Sequence, residues 1–152
     1  MLILLLFFGF FSLSSAQISC QYEEHIQYGY TCYITLFNRG GLNNFTEVPG
    51  NHLEGRSNAD VISIIAYDGN TANIPSIICS QFNNVERLEL SIMYINTLTE
   101  DTFTGCPNLR FLNLWYNFIP SVPENIFANN PRLIYVDFDM NRLTTIGENT
   151  FT

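Results

Sequence analysis

The chain contains no lysine, and its six basic residues are all arginine. Its 14 acidic residues outnumber them and give a net charge of −8. Nucleic acids and anionic membrane surfaces are bound through basic patches. The charge balance therefore argues against nucleic acid as a partner. Beyond Ala16 there is no apolar run long enough to cross a bilayer, so we predict no membrane insertion of the mature chain.

The sequence also lacks the short motifs that carry common catalytic chemistry. It has no HExxH, no P-loop, no GxGxxG and no nucleophile elbow. The two histidines, His25 and His52, are far apart and do not have metal-ligand spacing. Ordinary histidines of the N-terminal region explain them better than a metal site does.

One acidic stretch imitates a calcium loop. Asp137, Asp139 and Asn141, with Glu148 further on, have EF-hand spacing, but Arg142 occupies the position where that loop needs glycine. Alternation along a strand would place Asp137 and Asp139 on an open surface, where no apolar pocket raises a carboxyl pKa for acid catalysis. We therefore predict that the protein is not an enzyme and has neither a metal nor a cofactor.

What the chain does have is a repeat. Copies begin at Val85, Leu109 and Leu133, and a fainter copy begins at Val61, so the starts are evenly spaced along the chain. A period in this range is the sequence signature of a solenoid, in which each unit buries its apolar face only by stacking on its neighbours. We therefore expect coils starting at 61, 85, 109 and 133.

The apolar positions within the repeat identify the unit. Counted from the first residue of each copy, positions 4, 6, 11, 14 and 19 hold Leu88, Leu112 and Val136; Leu90, Leu114 and Phe138; Ile95, Ile119 and Leu143; Leu98, Val122 and Ile146; and Phe103, Phe127 and Phe151. Position 9 is Asn117 and Asn141 in two copies. The pattern resembles LxxLxLxxNxLxxLxxxxFxxLxx, the 24-residue extracellular leucine-rich repeat, over residues 61–152. That resemblance implies an α/β solenoid, mostly β and coil, of about four coils.

The resemblance also assigns a role to the position-9 asparagine. In leucine-rich repeats this side chain turns inward and bonds backbone groups of adjacent coils, which a bend in a packed coil would otherwise leave unpaired. Met93 and Gly69 occupy that position in the first two copies. We expect the asparagine ladder to be interrupted there.

The segment from Met1 to Ala16 is a short apolar run that ends in small residues. Ser14 and Ala16 fit the −3 and −1 sites of signal-peptidase cleavage, and the run is short for a membrane span. We predict a signal peptide at 1–16, a mature chain from Gln17, and a secreted, extracellular protein.

The four cysteines favour disulfides over metal binding because they follow a secretion signal. Of three possible pairings we favour Cys20–Cys32 and Cys79–Cys106. The first two cysteines lie on alternating segments separated by a turn containing Gly29, which predicts a β-hairpin. Cys79 and Cys106 fall at positions 19 and 22 of adjacent coils, about one strand spacing apart.

Residues 17–60 lack the repeat and are predicted to form an N-terminal cap with that hairpin, since the first coil would otherwise expose its apolar cross-section. Asn44, in the sequon Asn-Phe-Thr, is a predicted glycosylation site. The stretch 50–61, with the segments IICSQF and GCPNL, resembles secreted leucine-rich-repeat proteins of insects. That likeness implies recognition outside cells or at their surface, in some cases in innate immunity.

The sequence ends within the fourth copy, without a polar capping segment. Left bare, that edge would expose Leu143, Ile146 and Phe151. We expect either a fragment of a longer protein, such as a receptor ectodomain, or a homodimer that buries the edge.

In leucine-rich repeats the strand lines a concave face on which ligands usually bind. Outward strand positions are Tyr67 and Asp68; Glu86, Arg87, Glu89 and Ile92; Arg110, Phe111, Asn113, Trp115 and Tyr116; and Ile134, Tyr135, Asp137, Asp139 and Met140. Aromatics beside arginine are typical of binding hot spots. The ligand-binding candidates are Tyr67, Arg87, Arg110, Phe111, Trp115, Tyr116, Tyr135, Asp137 and Asp139. The alternative is that the aromatic side chains pack on one another or on further coils.

The sequence therefore favours a secreted module that binds a protein or a glycan on an aromatic and acidic concave face. A structural protein that assembles through its C-terminal edge is the second hypothesis. A glycosidase is a distant third, because one strand per coil does not place carboxylates across a cleft.

Overall fold

The computed structural model describes residues 17–37 and 45–151. The predicted signal peptide, residues 1–16, and the predicted glycosylation site, Asn44, lie outside the described residues. The described chain is mostly strand and coil. Its elements are β1 (Gln17–His25), β2 (Gly29–Phe37), a 3₁₀ turn (Asn58–Asp60), β3 (Ser63–Tyr67), α1 (Ile77–Gln81), β4 (Arg87–Ser91), β5 (Phe111–Asn113), β6 (Ser121–Val122), β7 (Tyr135–Asp137) and β8 (Thr145–Ile146).

The main sheet has six strands in the order β1-β2-β3-β4-β5-β7. The first two strands form an antiparallel hairpin, and every later neighbour is parallel. Leu88 pairs with Leu112, which pairs with Val136, so position 4 of each copy lies beside position 4 of the next. A short parallel sheet of β6 and β8 repeats with the same spacing. The prediction of about four stacked 24-residue coils, mostly β and coil, is confirmed, and the described chain forms a β-solenoid with few helical residues.

The core runs along the axis of the coils. Leu88, Leu90, Leu112 and Leu114, at positions 4 and 6, are all buried, because alternation along each strand directs these side chains to the same face. On the other side of the coils, phenylalanines stack at position 19. Phe103 and Phe127 lie 5.7 Å apart between ring centroids, and Phe127 and Phe151 lie at the same distance.

Asn117 joins two coils from inside the core. Its Oδ1 accepts hydrogen bonds from the amides of Met93 (3.0 Å) and Ile95 (3.1 Å), and its Nδ2 donates to the carbonyl oxygens of Leu90 (2.8 Å) and Leu114 (3.0 Å). The two amides belong to the bend after β4, whereas Leu90 lies near the end of β4 and Leu114 directly follows β5. The side chain therefore connects the bend of one coil to the next coil, as the resemblance to leucine-rich repeats implied for position 9.

Asn141 repeats the arrangement one coil later: its Nδ2 donates to Leu114 O (2.8 Å) and its Oδ1 accepts from Ile119 N (3.1 Å). The first coils differ. The amide of Gly69 donates to the thioether sulfur of the buried Met93 (3.2 Å), so a weak acceptor stands where the asparagine would be.

The N-terminal hairpin covers the first coil through β2, which pairs with β3. The two disulfides join Cys20 to Cys32 across the hairpin and Cys79 to Cys106 between coils, the pairs favoured from the sequence. The segment around Val48 and Gly50, which precedes the first coil, is called the strap here. Gln81 of α1 holds it in place, because its side chain accepts a hydrogen bond from Val48 N (2.7 Å) and donates one to Val48 O (2.9 Å). The cap is thereby joined to the repeats by main-chain pairing and by a side-chain clamp.

The backbone turns out of each strand through a left-handed residue at position 8. Asp68, Ile92, Tyr116 and Met140 have φ between 55° and 57°, so this conformation recurs at position 8 of every coil. Non-glycine residues rarely adopt this conformation, and a β-branched residue such as Ile92 is least suited to it. The coil geometry therefore imposes this conformation on four chemically different side chains.

Candidate binding face on the sheet

Side chains of β3, β4, β5 and β7 that point away from the core form what we call the open face. The strand register arranges them in rows across the sheet. One row contains Ser63, Arg87, Phe111 and Tyr135; the next contains Ile65, Glu89, Asn113 and Asp137; and Tyr67 and Ser91 begin a third, which Trp115 and Asp139 continue beyond the ends of β5 and β7. An acidic and amide row therefore lies between two rows that carry aromatic rings.

Arg87 is enclosed on this face. Its guanidinium carbon lies 4.9 Å from the ring centroid of Tyr28 and 4.4 Å from that of Phe111. Nη1 of Arg87 also contacts Oε1 of Glu89 at 3.0 Å, and the Glu89 side chain is only 12% exposed. Because its charge is balanced and two rings flank it, Arg87 is a fixed part of the face.

Glu89 also accepts a hydrogen bond from the first coil. The Tyr67 hydroxyl donates to its Oε2 at 2.8 Å. Partial burial, followed by this bond and by the charge of Glu89, raises the pKa of Tyr67 well above its ordinary value. Tyr67 therefore stays a neutral donor at physiological pH.

Arg110 is the other arginine of the face, and it lies at the rim. Its Nη1 is 3.5 Å from Oε2 of Glu86, and its guanidinium carbon is 5.7 Å from the Phe111 ring centroid. Arg87 and Arg110 both approach Phe111, which is consequently only partly exposed. Both arginines of the open face thus have a carboxylate of their own.

Asn113 and Asp137 occupy the same position in successive coils and make the same turn. Asn113 Oδ1 accepts from the amide of Trp115 at 2.8 Å, and Asp137 Oδ1 accepts from the amide of Asp139 at 2.8 Å. A side-chain oxygen that bonds the amide two residues on fixes the start of a turn. The turn requires a side-chain oxygen at this position, and it forms both with the neutral Asn113 and with the negatively charged Asp137.

Asp137 also acts on its neighbour Tyr135. The Tyr135 hydroxyl donates to Asp137 Oδ2 at 3.2 Å. The negative charge of Asp137, followed by this hydrogen bond, raises the pKa of Tyr135. Within the described part of the chain, no arginine forms an ion pair with Asp137 or Asp139.

A hollow of about 320 Å³ opens in the middle of the face. Its lining consists of Arg87, Glu89, Phe111, Leu112, Asn113 and Tyr135. The walls combine aromatic carbon with amide and carboxylate groups, and the volume is at the low end of small-ligand sites. It can hold one or two side chains, or a sugar ring.

A second hollow, of about 140 Å³, lies beside the strand ends and is lined by Ile92, Tyr94, Tyr116 and Phe118. Tyr94 and Phe118 meet edge to face at 5.4 Å, and Tyr116 lies 5.2 Å from Trp115. The predicted aromatic patch is therefore divided: Phe111 and Tyr135 line the central hollow, whereas Tyr116 lines this one and Trp115 packs beside it.

The structure divides the nine candidates selected from the sequence. On the open face lie Tyr67, Arg87, Phe111, Tyr135 and Asp137, with Arg110, Trp115 and Asp139 at its edges, whereas Tyr116 lines the second hollow. Three aromatic contributors were missed: Tyr28, Tyr94 and Phe118. Tyr28 belongs to the hairpin, whose alignment on the first coil no repeat pattern could give. Tyr94 also has a positive φ, 62°, which turns its ring toward Phe118. Asparagine or glycine would have signalled such a turn, but tyrosine does not.

The two disulfides are compatible with an extracellular protein. In 17–37 and 45–151, no helix has the length and apolar character needed to cross a membrane. Those same ranges contain no group of three or more side chains arranged to hold a metal ion. No protein-family model matches the chain, and comparison with curated proteins gives no match either.

Proposed function

We propose that the protein is a secreted leucine-rich-repeat module that binds an extracellular protein or glycan on its open face, which would be the concave side of the solenoid. The stacked 24-residue coils, the inward Asn117 and the two disulfides support this assignment. Stacked coils place equivalent strand positions side by side and so form an extended surface that can contact a large ligand.

One observation carries the proposal: large aromatic side chains remain exposed on the open face. Tyr67 is 56% exposed, Trp115 38%, Tyr116 51% and Tyr135 51%. Exposed apolar residues scattered singly need no explanation, but several large rings beside polar groups on one side of a sheet are typical of an interaction site. Tyrosine and tryptophan beside arginine are the residues most enriched in binding hot spots.

Packing alone does not account for these rings. Trp115 and Tyr116 contact each other, yet both stay more than one third exposed. Tyr67 and Tyr135 each donate their hydroxyl to a neighbouring carboxylate, which leaves the ring faces open. A ligand that stacks on these rings would bury area that the folded chain leaves in water.

Substitution of Trp115 by alanine tests the proposal. Immobilised protein would capture binders from extracellular fluid, and the same experiment with Trp115→Ala should lose them. A hot-spot tryptophan is worth about 2 kcal/mol or more, which is about 30-fold in affinity.

Leu53→Ala is the matched control, because Leu53 is 44% exposed in the cap, away from the open face. The circular dichroism spectrum should be unchanged in both variants. Equal capture by wild type and Trp115→Ala would remove the open face from consideration.

The second candidate function is assembly through the last coil. Ile134, Ile146 and Phe151 are each more than half exposed there. Association through these side chains would make the molecular mass rise with concentration, which light scattering measures. A stable monomer at all concentrations would argue against assembly.

A further inference from the structure

We infer that the occupant of the open face is an extended basic segment of a partner protein, whose arginine or lysine side chain enters the central hollow and meets Asp137 and Asp139 at its edge. This inference rests on the proposed function, and it chooses between the protein and glycan ligands that the function leaves open. The charge and the stacking geometry of the face support it.

The open face carries more acidic than basic charge. Five carboxylates and two arginines lie on it: Asp68, Glu86, Glu89, Asp137 and Asp139 against Arg87 and Arg110. Both arginines are already paired, Arg87 with Glu89 and Arg110 with Glu86. The described strands of the face therefore offer no unpaired cation to an anionic ligand, so a cationic group is their complement.

The molecule already binds one guanidinium of its own in this way. Arg87 lies between the rings of Tyr28 and Phe111, with the carboxylate of Glu89 two residues along the same strand. Two strands further, Tyr135 occupies the position of Arg87 and Asp137 that of Glu89, so a ring and a carboxylate are again neighbours on this face. No guanidinium of the described chain stacks on Tyr135.

A guest side chain would complete this second arrangement. The apolar stem of an arginine or lysine would pack against Phe111 and Tyr135, which line the hollow. Its charged end would lie beside Asp137 and Asp139, away from Arg87. Stacking on an aromatic ring and pairing with a carboxylate stabilise the same cation together.

The shared turn at Asn113 and Asp137 supplies the variants for a test. Because both residues accept the same hydrogen bond from the amide two residues on, either residue type satisfies this turn. Asp137→Asn therefore removes the charge and keeps the turn, and Asn113→Asp adds a charge in the middle of the row. The chain itself shows that both residues fit the position.

The experiment uses Trp115, the single tryptophan of the sequence, as an internal fluorescent probe. The probes are a capped peptide with arginine alternating with valine, its twin with glutamate in place of arginine, and a neutral oligosaccharide, cellotetraose. Titration calorimetry supplies a second measurement. The control is the double variant Glu100→Gln with Asp101→Asn, in the turn between β4 and β5. It removes two negative charges, as Asp137→Asn with Asp139→Asn does, but away from the open face.

We expect the arginine peptide to bind at least about tenfold more tightly than its glutamate twin. Asp137→Asn with Asp139→Asn should weaken it about tenfold, and Asn113→Asp should strengthen it about threefold, as expected for exposed ion pairs. The control pair should leave affinity within about twofold. Raising salt from about 0.05 M to about 0.5 M should weaken the arginine peptide, since exposed charges are screened.

The inference is overturned if the glutamate peptide or cellotetraose binds as well as the arginine peptide, or if the Asp137 and Asp139 substitutions have no effect. It is also overturned if no probe changes the Trp115 fluorescence. The proposed function fails separately, when capture from extracellular fluid does not depend on Trp115. A cellotetraose complex lost in Trp115→Ala would keep the function and reject the basic ligand.

Discussion

Asn117 shows how one residue can decide the stability of two coils. It is 2% exposed and bonds five backbone groups, of which three belong to the preceding coil. A buried polar group without a partner costs more free energy than a formed bond returns. The importance of this residue therefore lies mainly in the unpaired groups that its removal would create.

Asn117→Ala should lower the free energy of unfolding by about 3 kcal/mol, because buried amides and carbonyls lose their partner. Asn141→Ala should cost less, about 1–2 kcal/mol, since Asn141 is only half-buried. Urea unfolding followed by circular dichroism measures both. Equal losses in the two variants would contradict this account of burial.

The sequence predicted these asparagines correctly, because position 9 of a repeat reports a backbone need that is the same in every coil. It did not predict how the chain manages without them. The thioether of Met93 accepts from Gly69 N, and no pattern of residue types signals such a bond. Residue-scale prediction succeeds where the repeat averages over copies and fails where a single copy departs from it.

Among the elements, the short helix α1 links the cap to the repeats. Gln81, at its end, uses both atoms of its amide on the backbone of Val48, as a neighbouring strand would. Val48 is buried near Gly50, and Gly50 approaches Cys20 O so closely that a Cβ there would clash with this oxygen. The strap is therefore held to the hairpin on one side and to the first coil on the other.

Gln81→Ala should destabilise the protein by about 2 kcal/mol and release the strap, because Val48 loses a donor and an acceptor at once. Gln81→Glu keeps the acceptor for Val48 N and loses the donor to Val48 O, so about half of the effect should remain. Hydrogen exchange at the Val48 amide measures the local change. Full protection of that amide in Gln81→Ala would refute the clamp.

The cap also marks the limit of prediction at this scale. The hairpin and the Cys20–Cys32 disulfide followed from alternation and a turn signal, which are local, and the Cys79–Cys106 disulfide followed from the register of the repeat. The contact of Tyr28 with Arg87 depends on how β2 pairs with β3, which two non-repeating partners decide. The Arg87 end of the candidate site is thus a junction between cap and repeat, and no single periodicity contains it.

At the scale of the whole molecule, two tyrosines make the free energy of unfolding depend on pH in the alkaline range. Burial, with a smaller effect of Tyr30, raises the pKa of Tyr22 to about 12, and burial with the Glu89 bond raises that of Tyr67. The folded state therefore holds these phenol protons more tightly than the unfolded chain does. This stabilisation is complete below the ordinary value of 10.0 and disappears as pH rises through the folded-state pKa.

The free energy of unfolding should accordingly fall by about 1–2 kcal/mol between about pH 10 and about pH 12, allowing for solvent screening. Tyr22→Phe should flatten that slope, because phenylalanine keeps the ring and has no proton to lose. Urea unfolding at several pH values gives the slope. A slope in Tyr22→Phe as steep as in wild type would show that other groups cause the dependence.

The architecture was predictable at this scale because the 24-residue period does not depend on any one residue. The distribution of charge on the open face was harder to predict from the sequence. The sequence placed acids and arginines there, but the pairing of Arg87 with Glu89 and of Arg110 with Glu86 depends on side-chain conformations. These pairs determine which carboxylates have no cation of their own.

The left-handed turn at position 8 has a consequence for how such a face can diversify. Asp68, Ile92, Tyr116 and Met140 hold the same backbone conformation with side chains that share no chemistry. Stacking of the coils thus sustains the geometry, and the residue there is interchangeable at a modest energetic cost. The rim of the face can accordingly change its ligand preference one substitution at a time, while the scaffold stays constant.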